Sequence, residues 1–380
     1  MRVPQATEIN PLSESQSIFL DLVRLLAAQV VLIAHIGQWL WHPFIEKQDF
    51  ITKHLMGWYA VTIFYVLSGY LISKSIFKSK FTTGFTLGEY IKNRVARLWP
   101  TLLVAVSITL LVYFIISYFN LFGYNNYFLP ELIHKFPSQS AQIKSSSTIT
   151  TGLFLNDIVG VNGIKMGTMS MNRPLWTLSQ EFWFYICAGL LAHGAFNKKS
   201  WSIILAISFV LWQMVFSNFI WIIGLLIWSS GAISMQVKGR HKQIIMGYLS
   251  ILILLFILKK DYGPNLTLWD RFICGISAFL LVNWGLEFFG KLNLKSTIIK
   301  KGASYSFTLY AIHWPLIVLF VGAFGPKFNS WSLLVKIISC LLLVIGINVL
   351  AYLISKWSED SNRWRKLISK LIPTHKRDPQ

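Results

Sequence analysis

Long apolar stretches set the strongest limit on what this chain can become. They lie near 18–40, 56–73, 99–120, 174–195, 200–217, 218–235, 243–259, 268–288, 305–324 and 331–355. Each approaches the length a bilayer core requires, roughly 20 helical residues at about 1.5 Å rise. Charged residues make up only 13% of the chain, against about 25% in an ordinary soluble domain. The mean hydropathy is +0.54. The expectation is an all-α, polytopic transmembrane helical bundle of about ten spans. It divides into a cytoplasmic N-terminal segment 1–17, a transmembrane domain 18–355 with an external loop 121–173, and a basic cytoplasmic tail 356–380. Residues 200–235 read either as two short spans turning at Ser217-Asn218 or as one long broken span.

The cations test this layout. Lys74, Lys78, Lys80, Lys92, Arg94 and Arg97 follow the second stretch, and Lys198 and Lys199 the fourth. Lys238, Arg240 and Lys242 follow the sixth, Lys291, Lys295, Lys300 and Lys301 the eighth, and seven more lie between Lys356 and Arg377. Such alternation places both termini in the cytoplasm by the positive-inside rule. It also accounts for most of the net charge of +20 through orientation and anionic headgroups, with no nucleic-acid motif present. Cys187, Cys274 and Cys340 are far apart in apolar stretches and have no metal-ligand spacing. Residues 1–17 are polar and no small-x-small site follows the first apolar run, so that run is expected to be a retained span.

Ionisable residues inside a membrane are costly and mark function by default. Arg24 and His35 are eleven apart, about three turns, so they share one face of the first span at roughly 16 Å axial separation. Asp21 sits one turn before Arg24 and can pair with it. Glu181, about two turns into the fourth span, lies in the outer half, as does His35. A carboxylate and an imidazole at one depth suit a base and its orienting partner. Arg94 and Arg97 share a cytoplasmic helix face, suited either to phosphate groups or to lipid headgroups. His313 lies mid-span two residues before Pro315, which frees a backbone carbonyl; site-lining and polar-network roles both fit. Ser68-Gly69 forms a small-residue notch whose default reading is close helix packing.

Five segments in order resemble the acyltransferase family 3 membrane O-acyltransferases. They are Leu20-Asp21-Leu22-Val23-Arg24 through His35; Phe64 to Ile72; Arg94-Val95-Ala96-Arg97 with Trp99-Pro100; Pro174-Leu175-Trp176-Thr177-Leu178-Ser179-Gln180-Glu181 through Tyr185; and Tyr305 to Leu316 with His313-Trp314-Pro315. Two departures stand out: Phe182 occupies the position of a second glutamate, and the Glu-Arg-Pro-like ending is only loosely echoed around Glu359. Many relatives append a soluble esterase-like domain, and the stretch after the last apolar run is too short for one, so none is expected.

The resemblance implies transfer of an acyl group, acetyl above all, from cytoplasmic acetyl-CoA to a carbohydrate hydroxyl at the other face of a bacterial inner membrane. His35 and Glu181 are then the catalytic pair, with His35 as base or as acyl carrier. Arg24, Arg94 and Arg97 hold the CoA phosphates, and Asp21, Ser68, Trp176, Ser179, Tyr185 and His313 line the site. No metal is implied. A transporter is the main rival, since it too places charges in the membrane. Transporters, however, often carry inverted repeats and broken helices in two halves, and neither is visible here. A glycosyltransferase would be expected to show acidic clusters outside, where loop 121–173 has only Glu131 and Asp157.

Overall fold

A computed structural model describes residues 12–41, 54–121, 172–216, 219–233, 240–259, 267–293, 295–328 and 330–371. Most of the expected external loop 121–173 lies outside the described residues, as do residues 1–11 and the end of the tail. Among the described residues there are helices and no strands. These are α1 (Glu14–Ile36), α2 (His54–Thr82), α3 (Leu87–Tyr118), α4 (Leu175–Asn197), α5 (Ser200–Phe216) and α6 (Phe219–Ile233). Next come α7 (Arg240–Lys259), α8 (Leu268–Gly290), α9 (Thr297–Ala303), α10 (Ser306–Phe328), α11 (Leu333–Ser358) and α12 (Ser361–Leu371).

Every expected span falls on a helix, and 200–235 resolves into two short ones. Helices α1, α2, α3, α8, α10 and α11 are long and apolar enough to cross a membrane, while α5, α6 and α7 offer shorter apolar segments. Helix α4 carries Thr177, Ser179, Gln180 and Glu181 in its first two turns and is not among the six. The outer face of α11 exposes Leu334, Leu341, Leu342, Ile345 and Leu353. Such a band matches a lipid-facing surface, because hydrocarbon offers apolar side chains no penalty.

The helix starts follow capping chemistry. Ser13 accepts from the Gln16 backbone N–H while the Gln16 side chain returns to the Ser13 N–H, so two orphan donors of α1 are satisfied at once. Thr267 and Asp270 do the same for α8. Just beyond His35, α1 widens into a π turn, Gly37–Trp41, a departure frequent at functional sites and absent from the sequence expectation.

Helix α1 is the hub, packing on α2, α8, α9 and α10; α10 also packs on α3 and α11, and α2 on α6 and α8. The Ser68-Gly69 notch makes the closest crossing. A Cβ on Gly69 would stand 1.8 Å from the Trp228 carbonyl oxygen, and one on Gly231 would stand 2.1 Å from that of Val66. Small residues are what permit backbones to approach so closely. Within the basic tail, Ser361–Leu371 form α12, packed on α3. Trp364, Leu367 and Ile368 recur at helical spacing, giving the segment an apolar stripe.

Candidate functional site

Two groups of polar side chains are built into the bundle. The first surrounds a cavity of about 380 Å³ where α3 begins and α11 ends. Its walls carry Arg24 from α1, Arg94 and Arg97 from α3, and Arg365 from α12, together with Ser68, Glu181 and Tyr185. Arg24 is paired with Asp21 at 2.5 Å, although its Nε is buried without a hydrogen-bond partner. Arg94 lies over the rings of Tyr90 and Tyr185, at 5.5 and 6.0 Å, and its buried Nε is also unpartnered. The cavity is therefore rich in guanidinium groups, and among the described residues that line it Glu181 is the carboxylate.

That carboxylate is held by a relay from three helices. Tyr185 Oη donates to Glu181 Oε1 at 2.5 Å. With its proton committed there, Tyr185 accepts from Ser68 Oγ at 3.0 Å, and Ser68 in turn accepts from Trp228 Nε1 at 3.1 Å. Tyr90 Oη donates to the Tyr185 carbonyl at 3.0 Å, tying α3 to α4. Each member is oriented by the next, which suits a preorganised polar wall.

The second group joins α1 to α10. His35 Nδ1 lies 2.7 Å from His313 Nε2, and the two rings are parallel within 5°. His313 Nδ1 faces the carbonyls of Tyr310 at 2.7 Å and Leu309 at 3.2 Å. Carbonyls only accept, so His313 carries its proton on Nδ1 and accepts on Nε2. His35 then donates from Nδ1, and its basic nitrogen is Nε2. Trp314 packs edge-on against His35 at 4.8 Å. The carbonyl that Pro315 leaves without a helical donor, that of Ala311, accepts from Asn172 Nδ2 at 3.0 Å.

The two groups are joined by aromatic contacts. Phe64 lines the cavity and lies 5.7 Å from the Tyr310 ring, which lies 5.8 Å from His313. Below them Glu359, almost fully buried, accepts from the Thr308 N–H at 2.9 Å and the Thr308 hydroxyl at 2.8 Å; Arg97 stands 3.8 Å away. Thr308 is in the first turn of α10, where backbone N–H groups have no intrahelical acceptor. Glu359 thus caps, from another segment, the helix that carries His313.

Measured against the sequence expectations, Arg24, Arg94, Arg97, Ser68, Glu181 and Tyr185 are gathered around one cavity. The expected pairing of Glu181 with His35 is not the arrangement found: His35 is bonded to His313, and Glu181 to Tyr185. Packing gives the reason, since α10 lies directly on α1 whereas α4 packs on α2, α3 and α5. Trp176 stacks on Trp58 at 5.8 Å, and Arg271 covers Trp58 at 4.4 Å. Ser179 faces a separate small void beside Trp99 and Phe182, its hydroxyl buried and unpartnered. Arg365, which the sequence marks only as one of the basic residues of the tail, reaches the cavity wall because α12 packs on α3. Glu359 is only a loose motif echo in the sequence, since nothing local marks a residue bonded to a segment 51 positions away. Among the described residues, no group of three His, Cys, Asp or Glu side chains is placed to hold a metal.

The acyltransferase domain family matches residues 17–353. An O-acetyl transferase of Shigella phage Sf6 is 28% identical over 192 residues, 49% of this chain and 49% of that protein. Nodulation protein 10 of Rhizobium leguminosarum bv. viciae is 25% identical over 171 residues, 45% of this chain and 43% of that protein. The matched stretches thus span about half the length of these curated relatives or somewhat less. No solved structure matches the chain.

Proposed function

Since the chain belongs to this acyltransferase domain family, we propose that it is a membrane O-acyltransferase. It moves an acyl group, acetyl in the simplest case, from cytoplasmic acyl-CoA to a hydroxyl of a cell-surface polysaccharide or lipid-linked sugar, in the bacterial cytoplasmic membrane. The name of the phage relative supports acetyl as the group and oxygen as the acceptor atom. The observation that carries the reading is the pairing of an arginine-lined cavity at the basic end of the bundle with a histidine pair further along α1 and α10. Arginine recognises phosphate through its fork of donors. The roughly 16 Å between Arg24 and His35 along α1 is comparable to the arm linking CoA phosphates to the thioester.

In this mechanism Arg24, Arg94 and Arg97 bind the phosphates and the acyl-pantetheine arm passes Phe64 and Tyr310. The acceptor hydroxyl approaches His35 Nε2, which takes its proton as the oxygen attacks the thioester carbonyl. The tetrahedral adduct collapses, the C–S bond breaks, and the proton held by His35 passes to the departing thiolate to give free CoA. His313, proton fixed on Nδ1, holds the tautomer of His35 and stabilises the imidazolium. Glu181 and Tyr185 orient the donor at the inner cavity rather than the imidazole.

Acetate on surface glycans is read by mass spectrometry of cells with the wild-type chain or His35→Ala. Base catalysis contributes typically 10²–10⁴-fold, so the variant should abolish the acetyl mass at normal expression. Full acetylation by His35→Ala would overturn the mechanism.

A further inference from the structure

Helix α12 brings a fourth guanidinium to the cavity, and this one has a different status from the others. Arg24 is paired with Asp21, and Arg97 stands 3.8 Å from Glu359. Arg94 is laid over two tyrosine rings. Arg365 has no carboxylate partner among the described residues, lies on an exposed helix face, and still lines the cavity together with Asn362 and Ser361. Placing an unpaired cation here incurs no desolvation while the cavity is open, and a bound anion would give it the partner it lacks.

Position along the cavity decides which anion. Tyr185 and Ser68 are buried in the bundle, and Glu181 is bonded to Tyr185 one turn before it on α4; Arg365 comes from an exposed face of α12. A long donor entering thioester first leaves its nucleotide end beside α12. The group there that differs from the diphosphate is the 3′-phosphate, a monoester carrying close to two charges near neutral pH. We propose that Arg365, with Asn362 beside it, binds the 3′-phosphate of the donor, so that α12 selects CoA over its dephospho form. The inference rests on the acyl-CoA reading of the cavity and adds to it a residue and a discrimination.

Binding tests this without knowledge of the acceptor. The full chain is placed in neutral phosphatidylcholine nanodiscs, and the dissociation constants of CoA and dephospho-CoA are measured by calorimetry. Charge-assisted hydrogen bonds of this kind predict that CoA binds roughly 10–100-fold tighter. Arg365→Ala should bring the two constants together by weakening CoA alone. Arg365→Lys should restore part of the preference, because the charge returns without the fork. Arg363→Ala, on the same helix but off the cavity wall, should leave the preference intact. If CoA binds and the preference is absent or survives Arg365→Ala, this inference fails while the donor reading stands. If neither nucleotide binds, the donor reading itself fails. An effect of Arg365→Ala confined to nanodiscs containing phosphatidylglycerol would assign the side chain to lipid headgroups and overturn the proposal.

Discussion

Replacing His313 by alanine separates the two imidazoles more cleanly than any other change. His313 Nε2 accepts from His35 Nδ1 at 2.7 Å, and the Tyr310 carbonyl at 2.7 Å holds the His313 proton on the opposite nitrogen. Alanine removes that acceptor, leaving the His35 Nδ1–H without it and its ring freer to rotate. Losing a buried hydrogen bond costs about 1–3 kcal/mol. At about 1.4 kcal/mol per tenfold, that is roughly a 5- to 150-fold fall in kcat. Direct removal of the base by His35→Ala should cost about 10²–10⁴-fold. The variants therefore rank wild type, then His313→Ala, then His35→Ala. Donor KM should be unchanged in both, because the arginines are untouched. The assay is transfer of labelled acetyl from acetyl-CoA in isolated membranes, normalised to protein present. If His313→Ala proved more damaging than His35→Ala, His313 would be the base and the tautomer assignment would be reversed. Equal wild-type rates in both would remove the pair from the chemistry altogether.

Two further predictions follow from packing and capping. A Cβ at Gly69 or Gly231 would lie far inside the contact distance of about 3.3 Å to a carbonyl oxygen, so Gly69→Ala and Gly231→Ala should force α2 from α6 and lower the melting temperature markedly. Gly346→Ala meets open space and should be neutral or slightly stabilising; similar melting temperatures for all three variants would refute the close crossing. Glu359→Ala strips the cap from the Thr308 N–H and should cost about 1–3 kcal/mol of stability, whereas Glu359→Gln keeps an acceptor there and should mainly raise donor KM through Arg97. Equal unfolding midpoints for the Gln and Ala variants would show that the carboxylate does not cap α10.

Much of the site was legible because its parts are local. The eleven-residue step from Arg24 to His35, the three-residue step from Arg94 to Arg97, and the Ser68-Gly69 notch are all consequences of helix periodicity. Even the carbonyl freed by Pro315 could be foreseen, though not that Asn172 would occupy it. Counting residues along the helices puts His35 and Glu181 at one level, whereas the structure sets Glu181 on the wall of the arginine-lined cavity and His35 beside His313. Which neighbour each faces could not be assigned, since depth leaves rotation about the bundle axis free.

The sequence by itself determined that this chain is helical, apolar enough to live in a membrane, and studded with cations on one set of connections, because burial cost and helical period are written residue by residue. Only the tertiary structure decided that His35 meets His313 rather than Glu181, that Glu359 caps α10 at Thr308, 51 residues earlier, and that the tail folds back as α12 to bring Arg365 to the cavity. Those outcomes depend on which helices pack side by side. That choice is set by shape complementarity between surfaces distant in sequence, such as the glycine crossing of α2 and α6, and no local pattern encodes it.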